Sequence, residues 1–589
     1  MKVSPDAVIA DIETDGLLDT VTKIHCIQIG SLNGPDVTLY KGPTLAAGLK
    51  RLHDAPQVLG HNFISYDYVV IERFHPGTLV ESQVVDTMAL SRLKNPTAKD
   101  HTLATLGKAL GVYKGDWKGP WDTLTPEMEE YAKQDIVVVR AIFHSLKSVL
   151  AWGHAADTEH SVQWALAAQE RNGFKLDLEY ATRLEGHLRG ELLIEAEAVK
   201  SVFPPVWISA GEFTPKGNNK KQGYNAGCPL TKVRLEYFNP SSRIQIGKRL
   251  QGLGWKPKDF GKDAYPTVDE KILVTLPYPE AKRLVRYFTI SKKLGQLSDG
   301  KGGWLKLVQP DGRVRGRVNG NGAITCRMAH SKPNTANIDS SPEMRRCWIA
   351  RDGWVLVGAD ASALEACMFA HFLHRYDNGS YRDKYILSDE DLHTANMNAI
   401  KAQGIVVARQ GAKRLLYAKL YGAQFPKLGR TVKEEQRAAG IAVSVGPDKV
   451  IGAKVNQALE RTLIGIKPLT AKLQEVCKAN KGWIRGLDGR SMVIKSQHSI
   501  LNTLLQGAGA LVMKKALAIL WERGKGTYGH LWAFCANVHD EWQMECQPDF
   551  AEELGQMAVQ AIRDAGTFYK LRCPLDGEFK VGSNWSETH

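Results

Sequence analysis

Trp354-Val355-Leu356-Val357-Gly358-Ala359-Asp360-Ala361-Ser362-Ala363-Leu364-Glu365 runs from an apolar stretch into two acids. The apolar part reads as a buried strand ending in Asp360, and the continuation through Phe372 reads as a helix. A carboxylate at the end of a buried strand stands at the rim of a sheet, within reach of a ligand. Far downstream, Cys535-Ala536-Asn537-Val538 reads as another strand, ending in His539-Asp540-Glu541. Trp542 and Met544 then alternate with Gln543 and Glu545, as the return strand of a hairpin would. Between these segments lies Arg409-Gln410-Gly411-Ala412-Lys413-Arg414-Leu415-Leu416-Tyr417-Ala418-Lys419-Leu420-Tyr421-Gly422. Arg409, Lys413, Tyr417 and Tyr421 recur at a spacing of four, so they form one stripe of a helix that Gly422 terminates. Two cations and two phenols suit a core poorly. They suit a triphosphate with a base stacked above it.

A second group of acids lies near the N-terminus. Ala7-Val8-Ile9-Ala10 reads as a strand followed by Asp11-Ile12-Glu13, and strand alternation puts Asp11 and Glu13 on one face. Asp67 follows in His61-Asn62-Phe63-Ile64-Ser65-Tyr66-Asp67. Tyr131 and Asp135 share a helix face in Tyr131-Ala132-Lys133-Gln134-Asp135. Four converging acids repel one another unless they bind cations, and hard oxygen ligands suit Mg²⁺ or Mn²⁺. Two such ions activate a water and stabilise the leaving oxygen of a phosphodiester, with Tyr131 placed to orient that water. A lone D-x-E is usually a strand cap, whereas the ordered set is specific.

At 589 residues the chain is too long for one core, so several domains are expected. A net charge of +14 suits a polyanionic partner. Nine scattered cysteines without a C-x-x-C pair argue against a zinc site or a disulfide framework, and for a reducing compartment. Met1 to Ala10 lacks a signal-peptide pattern, and the apolar stretch near Leu511 is interrupted by Lys514 and Lys515. A cytoplasmic protein with no membrane partner is expected.

Residues 1 to about 150 read as an α/β unit, with Ile24 to Ile29 a second strand and Met128 to Leu150 helical. From His160 a helix runs to Gly173, and Asp177 caps a second helix carrying Leu184, Leu188 and Leu192. The pair is expected to form a long, thin helical hairpin. Residues 203–235 are rich in Pro, Gly and Asn, with Lys216, Lys220 and Lys221. They read as a flexible basic loop.

These residues carry a resemblance. The D-x-E, H-N-x-x-x-Y-D and Y-x-x-x-D set is similar to the proofreading exonucleases of the DEDDy type. Asp360 to Glu365, Arg409 to Gly422 and Val538 to Glu541 resemble motifs A, B and C of family A DNA polymerases. Thr325-Cys326-Arg327 with Pro333-Asn334, and Asn502 to Gly507 with Gln506, also match. Gly486 to Arg490 and Gly582 to Trp585 resemble the podoviral replicative branch. The resemblance implies a multidomain α/β fold. An RNase H-like exonuclease (1–150) is followed by a right hand: thumb (151–310, with the basic insertion), palm (311–372 and 502–589) and fingers (373–501).

It implies template-directed addition of dNTPs to a primer, with 3′→5′ proofreading. Asp360, Asp540 and the Ala361 carbonyl hold two Mg²⁺; Asp11, Glu13, Asp67 and Asp135 hold two more. Lys413, Arg409 and His393 bind the triphosphate, Glu365 excludes a 2′-hydroxyl, and Tyr421 stacks near the templating base. Tyr417 goes with acceptance of dideoxynucleotides. Arg327, Gln506 and His539 contact the primer terminus or minor groove, while Arg243, Lys292 and Lys293 grip phosphates in the thumb. Expected partners are primer–template DNA, dNTPs and a replisome helicase–primase. The 203–235 segment is too short for the large insertion with which podoviral relatives recruit thioredoxin, so thioredoxin is not expected. Two positions depart from the family: Ala366-Cys367 stands where Leu-Arg is usual, and Cys326 replaces a glycine. The rival readings are an exonuclease with an inactive palm, a non-enzymatic replisome scaffold and an RNA polymerase. The two complete acid sets oppose the first two, and Glu365 with the exonuclease set opposes the third.

Overall fold

Strand Val8–Thr14 is buried on both faces and forms the middle of a five-stranded sheet. Ile24–Ser31 flanks it antiparallel and Val58–Gly60 parallel; Val37–Lys41 and Val84–Asp86 form the edges. Val8, Ala10 and Ile12 face one apolar core, while Ile9 faces another. Asp11 and Glu13 share the parity of Ile9, so the acids interrupt an otherwise apolar face within the strand rather than beyond its end. This is the RNase H-like arrangement expected. Helix Pro126–Leu146 packs across the sheet, started by Pro126 and by Thr125, whose hydroxyl accepts from the Met128 N–H. The computed structural model describes residues 1–261, 263–388 and 390–589.

The second sheet is antiparallel, in the order Trp532–Val538, Glu541–Cys546, Val355–Ala361 and Gly577–Gly582. Its helices are Leu364–Asp377, Ile500–Gly524 and Ala551–Phe568. Ile500–Gly524 is apolar and long enough to cross a membrane by composition, yet 78% of that window is buried in the protein. Lys514 does not break it: the ammonium is buried and donates to Glu159 at 2.5 Å. The alternation after Asp540 is likewise no sign of a wet face. Glu545 is fully buried, held by the guanidinium groups of Arg313 and Arg351. A helical subdomain, including Leu392–Lys401, Arg409–Leu420, Phe425–Ala438 and Asp448–Thr462, has its own core.

The chain divides into two compact units. One comprises Met1–Lys175, Gln309–Ile338 and Trp348–His589, the other Leu176–Val308 and Asp339–Cys347. This corrects the expected helical hairpin. Helix Ala155–Asn172, ended by Gly173 at φ +66°, packs on Ile500–Gly524 in the first unit. Helix Leu178–Val202, capped by Asp177 as read, packs on Pro279–Leu294 in the second. Strand Phe174–Leu176 lies between the two helices in sequence, and each helix packs within its own unit. Residues 203–235 are also corrected. They form a hairpin, Val206–Phe213 with Leu230–Glu236, in place of a structureless loop. Both strands are largely exposed, so no apolar alternation betrayed them.

Candidate active sites

A two-residue turn joins Trp532–Val538 to Glu541–Cys546, with His539 at φ +59° and Val538 opposite Glu541. It puts Asp540 at the tip of the hairpin. Glu541 in turn pairs with Asp360 across the central strands, and the Ala361 N–H donates to the Asp540 carbonyl at 3.1 Å. The two acids therefore come together through sheet register. Burial, then Asp540 and Glu541, push the Asp360 carboxyl up to about 7. Asp360, Ala361, Glu365, His393, Lys413, Tyr417, Tyr421 and Asp540 all line one cavity of about 620 Å³.

Within it, the Tyr421 hydroxyl donates to Glu365 at 2.8 Å, and Arg327 reaches the other carboxylate oxygen at 3.5 Å. The rings of Tyr417 and Tyr421 lie 6.0 Å apart, with His393 6.4 Å from Tyr417. Burial, then Lys413 and Arg409, lower the His393 pKa. Arg409 departs from expectation. Its guanidinium turns to Asp391, with bonds of 2.5 and 2.9 Å, and Asp391 lines the cavity in its place. Asp391 escaped the sequence reading, although it caps helix Leu392–Lys401. Gly422, at φ +84°, follows the helix as read. Gln506 is half-buried on Ile500–Gly524, and His539 is lowered in pKa by burial and by Arg327.

The two departures acquire a local account. Cys326 adopts φ +60°, a conformation that favours glycine. Cys367 is buried and donates to the Pro574 carbonyl at 3.7 Å. In the second unit, Arg243 donates to the Val268 carbonyl and lies 4.6 Å from the Phe288 ring centre. Lys292 pairs with Asp339 at 3.4 Å, and Lys293 with Glu343.

In the N-terminal sheet, Asp11, Glu13 and Asp135 each offer a carboxylate oxygen within 4.8 Å of the others. Burial first, then neighbouring acids, raise Asp11 to about 7 and Glu13 to about 9, and burial raises Asp135. Asp67 stands outside this triangle. It opens helix Asp67–Phe74, and its carboxylate accepts from the Ile12 N–H at 3.1 Å, between the two strand acids. Tyr131 stands one turn before Asp135 on Pro126–Leu146. The sequence reading missed Lys114, whose ammonium donates to Asp135 Oδ2 at 2.7 Å. The other oxygen, Oδ1, is buried without a hydrogen-bond partner. Three crowded acids and an orphaned carboxylate oxygen form an all-oxygen donor set that fits Mg²⁺. Asp360 and Asp540 offer oxygen donors of the same type at one cavity.

Trp585 was read only as part of a branch pattern, yet its indole N–H donates to Glu541 at 2.6 Å. It thus braces the residue beside Asp540.

Residues 229–587 match the family described as DNA polymerase family A. The chain is 31% identical to the DNA-directed DNA polymerases of Enterobacteria phage T3 and of Escherichia phage T7, over 99% of its length and all of theirs. Among solved structures, the polymerase domain of Pol1 from M. smegmatis, in complex with DNA primer-template and dNTP, superposes with a TM-score of 0.72. That match covers 98% of this chain and 95% of the other at 19% identity, and so speaks for the fold. With the paired acids, the cation-bearing helix and full-length likeness to two phage enzymes in place, the chain belongs to DNA polymerase family A, and its activity is that of a DNA-directed DNA polymerase.

Proposed function

We propose that Asp360, Asp540 and the Ala361 carbonyl hold two Mg²⁺ ions, and that the cavity they open onto seats an incoming dNTP against a primer end. The observation that carries this reading is the single cavity joining both acids to Lys413, Tyr417 and Glu365. When bound, the ions acidify the primer 3′-hydroxyl and offset charge on the transferred phosphoryl group. Lys413 binds the triphosphate and carries a proton for the departing pyrophosphate, with His393 beside it. Arg409 joins them by leaving Asp391. Glu365, held by Tyr421, fills the space a 2′-hydroxyl needs, and Tyr417 admits a sugar lacking the 3′-hydroxyl. Tyr421 stacks near the templating base. Arg327, Gln506 and His539 bear on the primer terminus and minor groove. Within the second unit, Leu176–Val308 acts as thumb, with Arg243, Lys292 and Lys293 exchanging their present partners for phosphates. Residues 311–372 and 502–589 act as palm, and 373–501 as fingers.

Residues 1–150 act as a 3′→5′ proofreading exonuclease. Asp11, Glu13 and Asp135 would hold the catalytic metals, Asp67 would join them by leaving the Ile12 amide, and Tyr131 orients the water. A mismatch slows addition, frays the primer end and sends it to this site. The work belongs to phage replication in a reducing host cytoplasm, alongside a helicase–primase and without thioredoxin. The test is a 5′-labelled primer on a longer template in Mg²⁺. Lengthening with dNTPs and shortening without them are expected. Shortening under both conditions means an inactive palm; no change under either overturns both assignments.

A further inference from the structure

Residues 110–125 link helix Leu103–Ala109 to Pro126–Leu146 without regular secondary structure, yet they are anchored on both sides of Lys114. The Tyr113 carbonyl accepts from Gln134 Nε2 at 2.7 Å. Gly115 lies so close to Tyr131 that an added Cβ would stand 3.0 Å from its ring. Further along, Trp121 meets Tyr131 edge-on at 6.4 Å, and its carbonyl lies 2.9 Å from His25 Nε2. These contacts hold the loop against the helix that carries Tyr131 and Asp135. Lys114 reaches over both: Nζ is 2.7 Å from Asp135 Oδ2 and 4.6 Å from the Tyr131 ring centre.

A passive counter-ion is the simpler role for such a lysine. Charge counting favours a working one. Four carboxylates balance two divalent ions. The phosphodiester to be cut adds one negative charge, and attack on it builds another. The only ammonium set against the acid triangle among the described residues is Lys114. It engages a single oxygen of Asp135, its side chain is 23% exposed, and its flexible stem lets the charge move by several ångströms.

We propose that Lys114 is a substrate-binding residue of the N-terminal site, taking a non-bridging oxygen of the phosphodiester to be cut and resting on Asp135 when no substrate is present. The proposal rests on the nuclease reading above.

The full chain is compared with Lys114→Ala, Lys114→Arg and Asp11→Ala. Lys114→Met, which keeps the stem packed over Tyr131, replaces the alanine variant if that variant melts early. Excision of a single-stranded oligonucleotide is measured with an ordinary and with a stereopure phosphorothioate terminal linkage, and Mn²⁺ binding is titrated by electron paramagnetic resonance. The alanine variant is expected to excise on the order of 10²-fold more slowly and to lose the wild-type penalty for sulfur in one diastereomer. Arg recovers part of the rate, while Mn²⁺ stoichiometry and primer extension stay unchanged. Excision at or above the wild-type rate, with tighter Mn²⁺ binding, overturns the proposal and leaves Lys114 a counter-ion. If wild type and Asp11→Ala both leave the oligonucleotide whole, the nuclease reading itself fails. Shortening by wild type but not by Asp11→Ala upholds that reading and leaves Lys114 judged alone.

Discussion

Asp360 is the residue at which chemistry and stability meet. Its carboxyl stands at about 7, raised by burial, then by Asp540 and Glu541. An acid whose folded pKa exceeds its unfolded value favours the fold below the unfolded pKa, and that contribution is lost as pH rises through the folded one. Metal-free protein should therefore lose thermal stability between about pH 4 and 7. Added Mg²⁺ should recover more of it at pH 8 than at pH 6. Asp360→Asn should flatten the slope; a wild-type melting temperature independent of pH in EDTA would contradict the assignment. The same competition between proton and metal predicts that the Mg²⁺ concentration for half-maximal extension rises below pH 7. Asp360→Asn or Asp540→Asn should cut extension by about 10³-fold or more and leave shortening intact, while Asp11→Ala should do the reverse. Running both assays on each variant settles whether the sites are separate.

Among the elements, helix Arg409–Leu420 places its two stripe cations, Arg409 and Lys413, differently. Lys413 lines the cavity already, whereas Arg409 is held by Asp391. Asp391→Ala should thus free Arg409 and lower the KM for dNTP, while Arg409→Ala raises it several-fold; steady-state kinetics on a primed template distinguish them. The hairpin Trp483–Arg485 with Ser491–Val493 shows a different kind of dependence. Arg490 beyond its turn is fully buried and bonded to Asp488 and Glu159, which also receives Lys514. Replacing Arg490 with Met strands the buried carboxylate of Asp488 and leaves Glu159 to Lys514 alone, and the cost should be about 3–5 kcal/mol. Chemical denaturation measures it, and a loss below about 1 kcal/mol would show the network is dispensable.

At the scale of the whole molecule, the +14 charge makes DNA binding a matter of counterion release. The affinity for primer–template should fall linearly in log–log form with salt, by about 0.9 per phosphate neutralised. Filter binding between low and physiological salt checks this, and a flat line would mean that the positive charge lies away from DNA. The three polymerase motifs and the D-x-E strand were legible from one chain because each is local. Strand alternation, helical spacing and a turn need only neighbours in sequence, and they singled out Asp11, Glu13, Asp360, Lys413, Tyr417 and Asp540 as candidates. What joins distant segments was not legible. The pairing of Asp360 with Glu541 depends on strands almost two hundred residues apart. The bond between Arg409 and Asp391, the membership of helices Ala155–Asn172 and Leu178–Val202 in different units, and the reach of Lys114 over Asp135 arise in the same way. The exposed hairpin of the second unit escaped because its strands bury too little apolar surface to leave a period of two. The sequence alone determined which groups are candidates for the chemistry, since their types and spacings are what such a reaction requires. Only the tertiary structure decided which of them touch, because register, burial and charge pairing exist only once distant segments pack.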